Sequence, residues 1–303
     1  MSSAPHAVPF LKGHGTENDF VIIPDPDDRL PLSPAAVARL CDRRAGIGGD
    51  GVLRVVRRAV GGAEWFMDYR NADGSVAEMC GNGVRVFARY LRRAGLVTAD
   101  EVPVGTRAGV RRVRYEADGS ITVDMGRAGL PGGAEPSVTV TVGERTWPAR
   151  HVDMGNPHAV AFVDRLSDAG PLREAPEVRP AETYPRGTNV EFVVDRGPRH
   201  VALRVHERGS GETRSCGTGA CAVMVAAARR DGLDPAADGR AATYTVDVPG
   251  GRLLVTEAAD GTVAMTGPAV VIAEGTVDLG WLEPDGDPMR FSHVSENISH
   301  SNG

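Results

Sequence analysis

The chain has almost no lysine. Lys12 stands alone among 34 basic residues, the other 33 (34 − 1) being arginines. A pyridoxal-phosphate enzyme builds its Schiff base on a lysine. Lys12 is the one candidate and no phosphate-cradling motif accompanies it, so amino-acid chemistry here is expected to run without that cofactor, and no other cofactor is implied. Long apolar runs are missing too. The longest, such as Ala220 to Ala228, fall far short of the roughly 20 residues a membrane helix needs. Met1 to Pro9 shows no basic region followed by an apolar run, which reads as no signal peptide. Net charge is −6, with no block of like charge of the kind that nucleic acid or anionic lipid attracts. There are only four cysteines, no Cys-x-x-Cys pair and no clustered histidines, so no metal site is expected. The expected setting is cytoplasmic and reducing, with free thiols. What remains is an ordinary globular composition, 41 % hydrophobic and 24 % charged over 303 residues, long enough for two domains of about 150 residues each.

Two of the four cysteines occupy one duplicated frame. Met79-Cys80-Gly81-Asn82-Gly83-Val84 and Ser215-Cys216-Gly217-Thr218-Gly219-Ala220 lie 136 residues apart (216 − 80). After each, apolar residues recur at helical spacing: Val84, Phe87, Ala88 and Leu91, then Ala220, Val223, Met224 and Ala227. Both stripes start four residues after their cysteine, so the two helices share a phase relative to the thiol. A third helix is expected from Pro34 to Arg43, with Ser33 as N-cap. Short β-branched runs at 21–23, 52–56, 121–123, 138–142, 190–194 and 201–205 read as strands. The repeat reaches further: Asn71 and Glu207 each lie nine residues before their cysteine at a strand end, and at a spacing of 138, Asn18 matches Asn156 and Gly51 matches Asn189. The expectation is an α+β chain of two pseudo-symmetric copies, 1–126 and 127–265, around a shared cleft. A further β run follows at Ala269-Val270-Val271-Ile272, and a polar tail, 283–303, is expected to be disordered.

Matched thiols suit a reaction with two mirror-related halves, in which a proton leaves one face of a carbon and another arrives at the opposite face. A free thiol has a pKa of about 8.5. A helix N-terminus lowers it, because unpaired backbone N–H groups carry partial positive charge. The same N–H groups can bind a carboxylate and stabilise enediolate-like charge beside it. Cys41 and Cys221 lack the frame and read as core or surface thiols. Asn18, Asn71, Asn156 and Asn189 sit in Gly- and Pro-marked turns. Each alone suits a turn, but their repeat-related positions favour a ligand role for the set; His158 lies in the same turn as Asn156. Glu207-Arg208, at a strand end, can grip the ammonium and carboxylate of a non-reacting amino-acid head. Gly46-Ile47-Gly48-Gly49-Asp50-Gly51 matches G-x-G-x-x-G, but a helix precedes it and a strand follows, the reverse of the dinucleotide fingerprint.

These motifs, with Gly13-His14-Gly15, Tyr69-Arg70-Asn71-Ala72-Asp73-Gly74-Ser75, Met154-Gly155-Asn156-Pro157-His158, Asn189-Val190-Glu191-Phe192 and Val205-His206-Glu207-Arg208-Gly209, resemble those of the diaminopimelate epimerase family, in family order over about residues 10 to 275. The resemblance implies two similar domains, each a strand-rich barrel around a central helix, with 266–282 returning to the first. It implies cofactor-independent interconversion of LL- and meso-diaminopimelate, with Cys80 and Cys216 as acid and base, supported by His158 and Glu207. Asn18, Asn71, Asn156, Asn189, Glu207 and Arg208, with the backbone at Gly81-Asn82 and Gly217-Thr218, would hold the small-molecule substrate, and a homodimer is implied. One position departs: many members carry glutamine at Gly51, so either water or another side chain fills that place, or substrate affinity differs. Proline and hydroxyproline racemases share the two-cysteine logic, but usually have histidine where this chain has Asn82. A reading from another class makes Cys80 and Cys216 a redox pair in a binding protein.

Overall fold

The computed structural model describes residues 7–30 and 32–282. The expectation for 283–303, and most of the Met1 to Pro9 stretch, lie outside the described residues. The first part of the chain forms β1 (Ala7–Gly15), β2 (Asn18–Pro24), α1 (Pro34–Cys41), β3 (Gly51–Val60), β4 (Ala63–Asn71), α2 (Gly81–Arg93), β5 (Glu101–Thr106), β6 (Gly109–Tyr115) and β7 (Ile121–Arg127). The second forms β8 (Val138–Val142), β9 (Arg145–Asp153), β10 (Pro157–Phe162), β11 (Glu177–Arg179), β12 (Asn189–Gly197), β13 (His200–Glu207), β14 (Gly211–Thr213), α3 (Gly217–Arg230), β15 (Ala242–Val248), β16 (Gly251–Glu257) and β17 (Thr262–Gly267), and the chain then adds β18 (Val270–Asp278).

The strands fall into two runs of one design. The first pairs in the order β18-β1-β2-β3-β4-β5-β6-β7. The second runs β8-β9-β10-β12-β13-β15-β16-β17. In both, the third–fourth and fifth–sixth neighbours are parallel and the others antiparallel. The match extends to register: Phe20 pairs with Gly51, and His158 with Asn189, each 138 residues later. β7 pairs with β17 and joins the two runs.

Each run wraps a helix. α2 packs on β1, β2 and β7, and α3 on β9, β10, β15 and β16. Burial goes beyond a single stripe. Every residue from Ala220 to Ala228 is inaccessible to solvent, as expected of a helix enclosed on all sides. On α2, Val86 is buried as completely as Val84, Phe87 and Leu91, each such side chain contributing about 2 kcal/mol. α1 begins as its sequence predicts, with the Ala36 N–H donating to Ser33 Oγ at 3.1 Å. It ends at Cys41 rather than Arg43, because the Asp42 carboxylate takes the N–H groups of Arg44 and Ala45, each at 2.7 Å, and pulls the chain out of the helix. The G-x-G-x-x-G stretch is the turn between α1 and β3.

Candidate active site

Both thiols are helix N-caps. Cys80 and Cys216 have extended backbones, and their sulfurs accept from the N–H of Gly83 (3.4 Å) and Gly219 (3.3 Å), the third residue of α2 and α3. The two cysteine turns are bonded directly to each other: Asn82 Nδ2 donates to Ser215 O at 3.1 Å and lies 3.2 Å from Ser215 Oγ. Met125 and Met265, on the paired strands β7 and β17, press on Gly81, and Met265 also faces Gly217. A Cβ at either glycine would push on these methionine tips, so the bare backbone lets the two helix starts pack close against β7 and β17.

The repeat-related asparagines converge on these turns. Asn18 Oδ1 accepts from Cys80 Sγ (3.6 Å) and from Asn82 Nδ2 (3.2 Å), while its Nδ2 donates to Asp50 Oδ2 at 2.7 Å. Asn156 Nδ2 donates to Thr218 Oγ1 at 3.3 Å, and Thr218 Oγ1 lies 3.5 Å from Cys216 Sγ. The carbonyl side of Asn156 meets His158 Nε2 at 3.1 Å. Glu207 accepts from the Thr213 hydroxyl and lies within hydrogen-bonding reach of Cys216. Asn189 Oδ1 holds the Arg208 N–H at 2.9 Å, leaving the exposed Arg208 guanidinium to reach Gly187 O at 3.4 Å. Asn71 lies opposite Gly51 at the end of β4, and its amide is bonded to Ser75 Oγ at 3.0 Å, within its own turn.

Burial governs the acid–base state. It pushes the Cys80 thiol up to about 11, with the Gly83 N–H pulling the other way and the Glu207 carboxylate adding to the rise. It pushes Cys216 well above the ordinary thiol value, aided by Glu207 and Glu191. The expected lowering by the helix N–H groups is present at both thiols, but desolvation of a buried thiolate outweighs it. Glu207 is raised as well, by burial first.

The place opposite Asn71 is closed by another side chain. A Cβ on Gly51 would lie 2.5 Å from Arg70 O and 2.7 Å from Tyr69 Cε2. The Arg70 carbonyl and the Tyr69 ring thus crowd the point where a side chain at 51 would begin.

Sequence reasoning missed Glu191, Asp50, Ser215 and Arg85. Glu191 is fully buried and holds His158 Nδ1 at 2.6 Å. One signal pointed to it: a carboxylate inside the apolar run 190–194. Asp50 orients Asn18 and is gripped by Arg43 Nη2 at 2.7 Å. Cys41 and Cys221 are both buried free thiols. Among the described residues, no helix is long and apolar enough to cross a membrane, and no cluster of His, Cys, Asp and Glu could hold a metal ion.

The family model described as Diaminopimelate epimerase matches residues 10–131 and 150–272. A protein of Streptomyces coelicolor named Diaminopimelate epimerase is 68 % identical over 284 residues, covering 91 % of this chain and 97 % of its own. One of Thermobifida fusca with the same name is 51 % identical, covering 90 % and 99 %. Among solved structures, a hydroxyproline epimerase of Agrobacterium vitis superposes with a TM-score of 0.65 at 16 % identity, over 94 % of each chain. At that identity the likeness speaks for the two-domain fold alone.

Proposed function

The chain belongs to the diaminopimelate epimerase family, and from that premise we infer that it interconverts LL- and meso-2,6-diaminopimelate by proton transfer at Cα, without pyridoxal phosphate. The observation that carries the reading is the pair of thiols capping two helices whose starts are hydrogen-bonded to each other. One sulfur, as thiolate, removes the Cα proton; the other, as thiol, returns one to the opposite face. Cys80 is held as a donor toward Asn18 Oδ1. Cys216 lies beside Glu207, which is placed to take its proton. The α-carboxylate sits against the first-turn N–H groups at Gly81-Asn82 and Gly217-Thr218. There the helix starts stabilise the enediolate charge as it develops.

Asn18 and Asn156 flank the reacting centre. Asn71, Asn189, Glu207 and Arg208 hold the distal amino-acid head, with Asn189 fixing the Arg208 backbone. Tyr69 fills the place that glutamine takes in many relatives. His158 supports Cys216 through Asn156 and Thr218. The enzyme serves lysine and cell-wall precursor synthesis in the cytoplasm. It works as a homodimer through β18, an edge strand with Val270 42 % and Ile272 58 % exposed. A proline-type substrate is set aside by the gap between 68 % and 16 % identity.

Incubation with LL-diaminopimelate in deuterium oxide, with reductant and no added cofactor, tests the reading. Meso product carrying deuterium at the inverted carbon supports it. Absence of both exchange and inversion contradicts it, and would favour a redox pair in a binding protein.

A further inference from the structure

Arg85 is a buried charge beside the cysteine turns. It is 0 % exposed, on α2. Its Nη2 donates to Asn82 Oδ1 at 2.9 Å and to Thr16 Oγ1 at 3.2 Å, whereas Nε and Nη1 have no hydrogen-bond partner. Among the described residues, no carboxylate lies within ion-pair distance of it. Room for it is made by bare backbone: a Cβ on Gly15 would lie 2.9 Å from Nη2, and one on Gly267 would lie 3.3 Å from Nη1. Burial lowers its pKa only to about 10, so it stays a cation at neutral pH. A buried, uncompensated cation is costly, and this one sits behind two helix N-termini that are themselves electropositive.

Its position in the repeat explains where it points. The offset that turns Cys80 into Cys216 turns Arg85 into Cys221 (85 + 136). The two are equivalent places on α2 and α3, and each lies in the other's electrostatic field. Two guanidiniums facing across the junction would collide and repel; one arginine and one small thiol fit. From Arg85, two routes reach the other domain and end on the same residue. Thr16 Oγ1 lies 2.6 Å from Ser215 Oγ, and Asn82 Nδ2 reaches Ser215 O and Oγ. Ser215 immediately precedes Cys216. By taking Asn82 Oδ1, Arg85 also fixes which way that amide turns, so that its N–H groups face Ser215 and Asn18.

We propose that Arg85 is a positioning residue for the two-thiol site: it orients Asn82 and Thr16 onto Ser215, keeping the cysteine turns in register, and its charge balances the negative charge of thiolate and substrate carboxylate. The proposal rests on the epimerase reading above. The groups facing Cys80 are Arg85 from its own helix, Glu207 from β13 and Tyr69 from β4, and those facing Arg85 are Cys80 and Cys221.

The test uses the full chain with Arg85→Met, Arg85→Lys and Cys221→Asp. The last places a carboxylate against the guanidinium without removing it. The rate of Cys80 alkylation by iodoacetamide at pH 8 needs no substrate and reads the thiolate fraction. Arg85→Met and Cys221→Asp are each expected to slow it about tenfold, the equivalent of one pKa unit, and Arg85→Lys to restore most of it. In turnover, Arg85→Met is expected to lower kcat about tenfold or more with a smaller change in KM. A wild-type alkylation rate in Cys221→Asp, with a raised melting temperature, would make Arg85 a packing element and overturn the proposal, even if Arg85→Met failed to fold. Loss of interconversion in the unmodified enzyme would refute the epimerase reading while leaving the alkylation result to judge Arg85.

Discussion

Behind Cys80 the first domain sets Phe20 and Leu53; behind Cys216 the second sets His158 and Glu191, each 138 residues after its counterpart. The backbone is the same in both. A Cβ on Gly83 would meet Leu53 Cδ2 at 3.2 Å and Phe20 Cζ at 3.6 Å, whereas one on Gly219 would meet Glu191 Oε1 at 2.8 Å. One thiol is backed by hydrocarbon and the other by a buried carboxylate–imidazole pair at 2.6 Å. The asparagines diverge with them, Asn18 being turned by Asp50 from the surface side and Asn156 by His158 from within. The edges differ as well: β11 covers β8, while the equivalent β18 is left open. Duplication thus supplies two capped thiols in matching frames, and side chains make them unequal partners. A reaction that takes a proton on one side and gives one on the other has use for that inequality.

The strongest way to break the comparison is to make the second domain copy the first. Glu191→Leu alone strands the buried His158 Nδ1 and is expected to cost about 1–3 kcal/mol of stability in urea unfolding. Adding His158→Phe should recover most of that stability yet leave kcat down about 10²-fold or more. A double variant with wild-type kcat would show the pair to be mere packing. Arg208→Met probes a feature the first domain lacks, since Asn71 stands level with Glu207 and Ala72 with Arg208. It should raise KM for diaminopimelate about 10- to 100-fold, through loss of charge-assisted hydrogen bonds, with thiol alkylation unchanged. Unchanged affinity would remove the distal grip.

The smallest effect is one of pH. Burial raises Cys41 and Cys221 to about 12 and Cys80 to about 11. Unfolded thiols ionise near 8.5. Above that pH the folded state binds more protons than the unfolded one, so stability must fall as pH rises, by about 1 kcal/mol per unit for each such thiol. Melting of wild type and Cys221→Ala in reductant at pH 7 and pH 10 checks it. The gap between the two proteins should shift in favour of the variant at pH 10, and an equal gap at both pH values would deny the burial effect.

Local features were legible because they repeat with the right phase. The helix starts at Cys80 and Cys216, the cap at Ser33, the strands at the β-branched runs and the 138-residue spacing follow from spacing and turn chemistry, whereas strands without such a run, β4, β9 and β16 among them, were not legible. What stayed hidden depends on contacts between distant segments. Arg85 looks like a surface arginine on an amphipathic helix until the surrounding barrel encloses it. Asp50 sits in a glycine-rich turn, and only the β2–β3 pairing brings it to Asn18. Ser215 carries no signal beyond its place before Cys216; its role comes from Asn82, 133 residues earlier. The net direction of the thiol shifts was hidden for a related reason: a helix N-terminus can be read locally, whereas desolvation needs the whole fold.

The central claim is that each sulfur handles one face of the same carbon. Purified Cys80→Ala and Cys216→Ala, shown by circular dichroism to be folded, should each lose LL-to-meso interconversion in a chiral product assay. Wild-type turnover in either variant would contradict the claim.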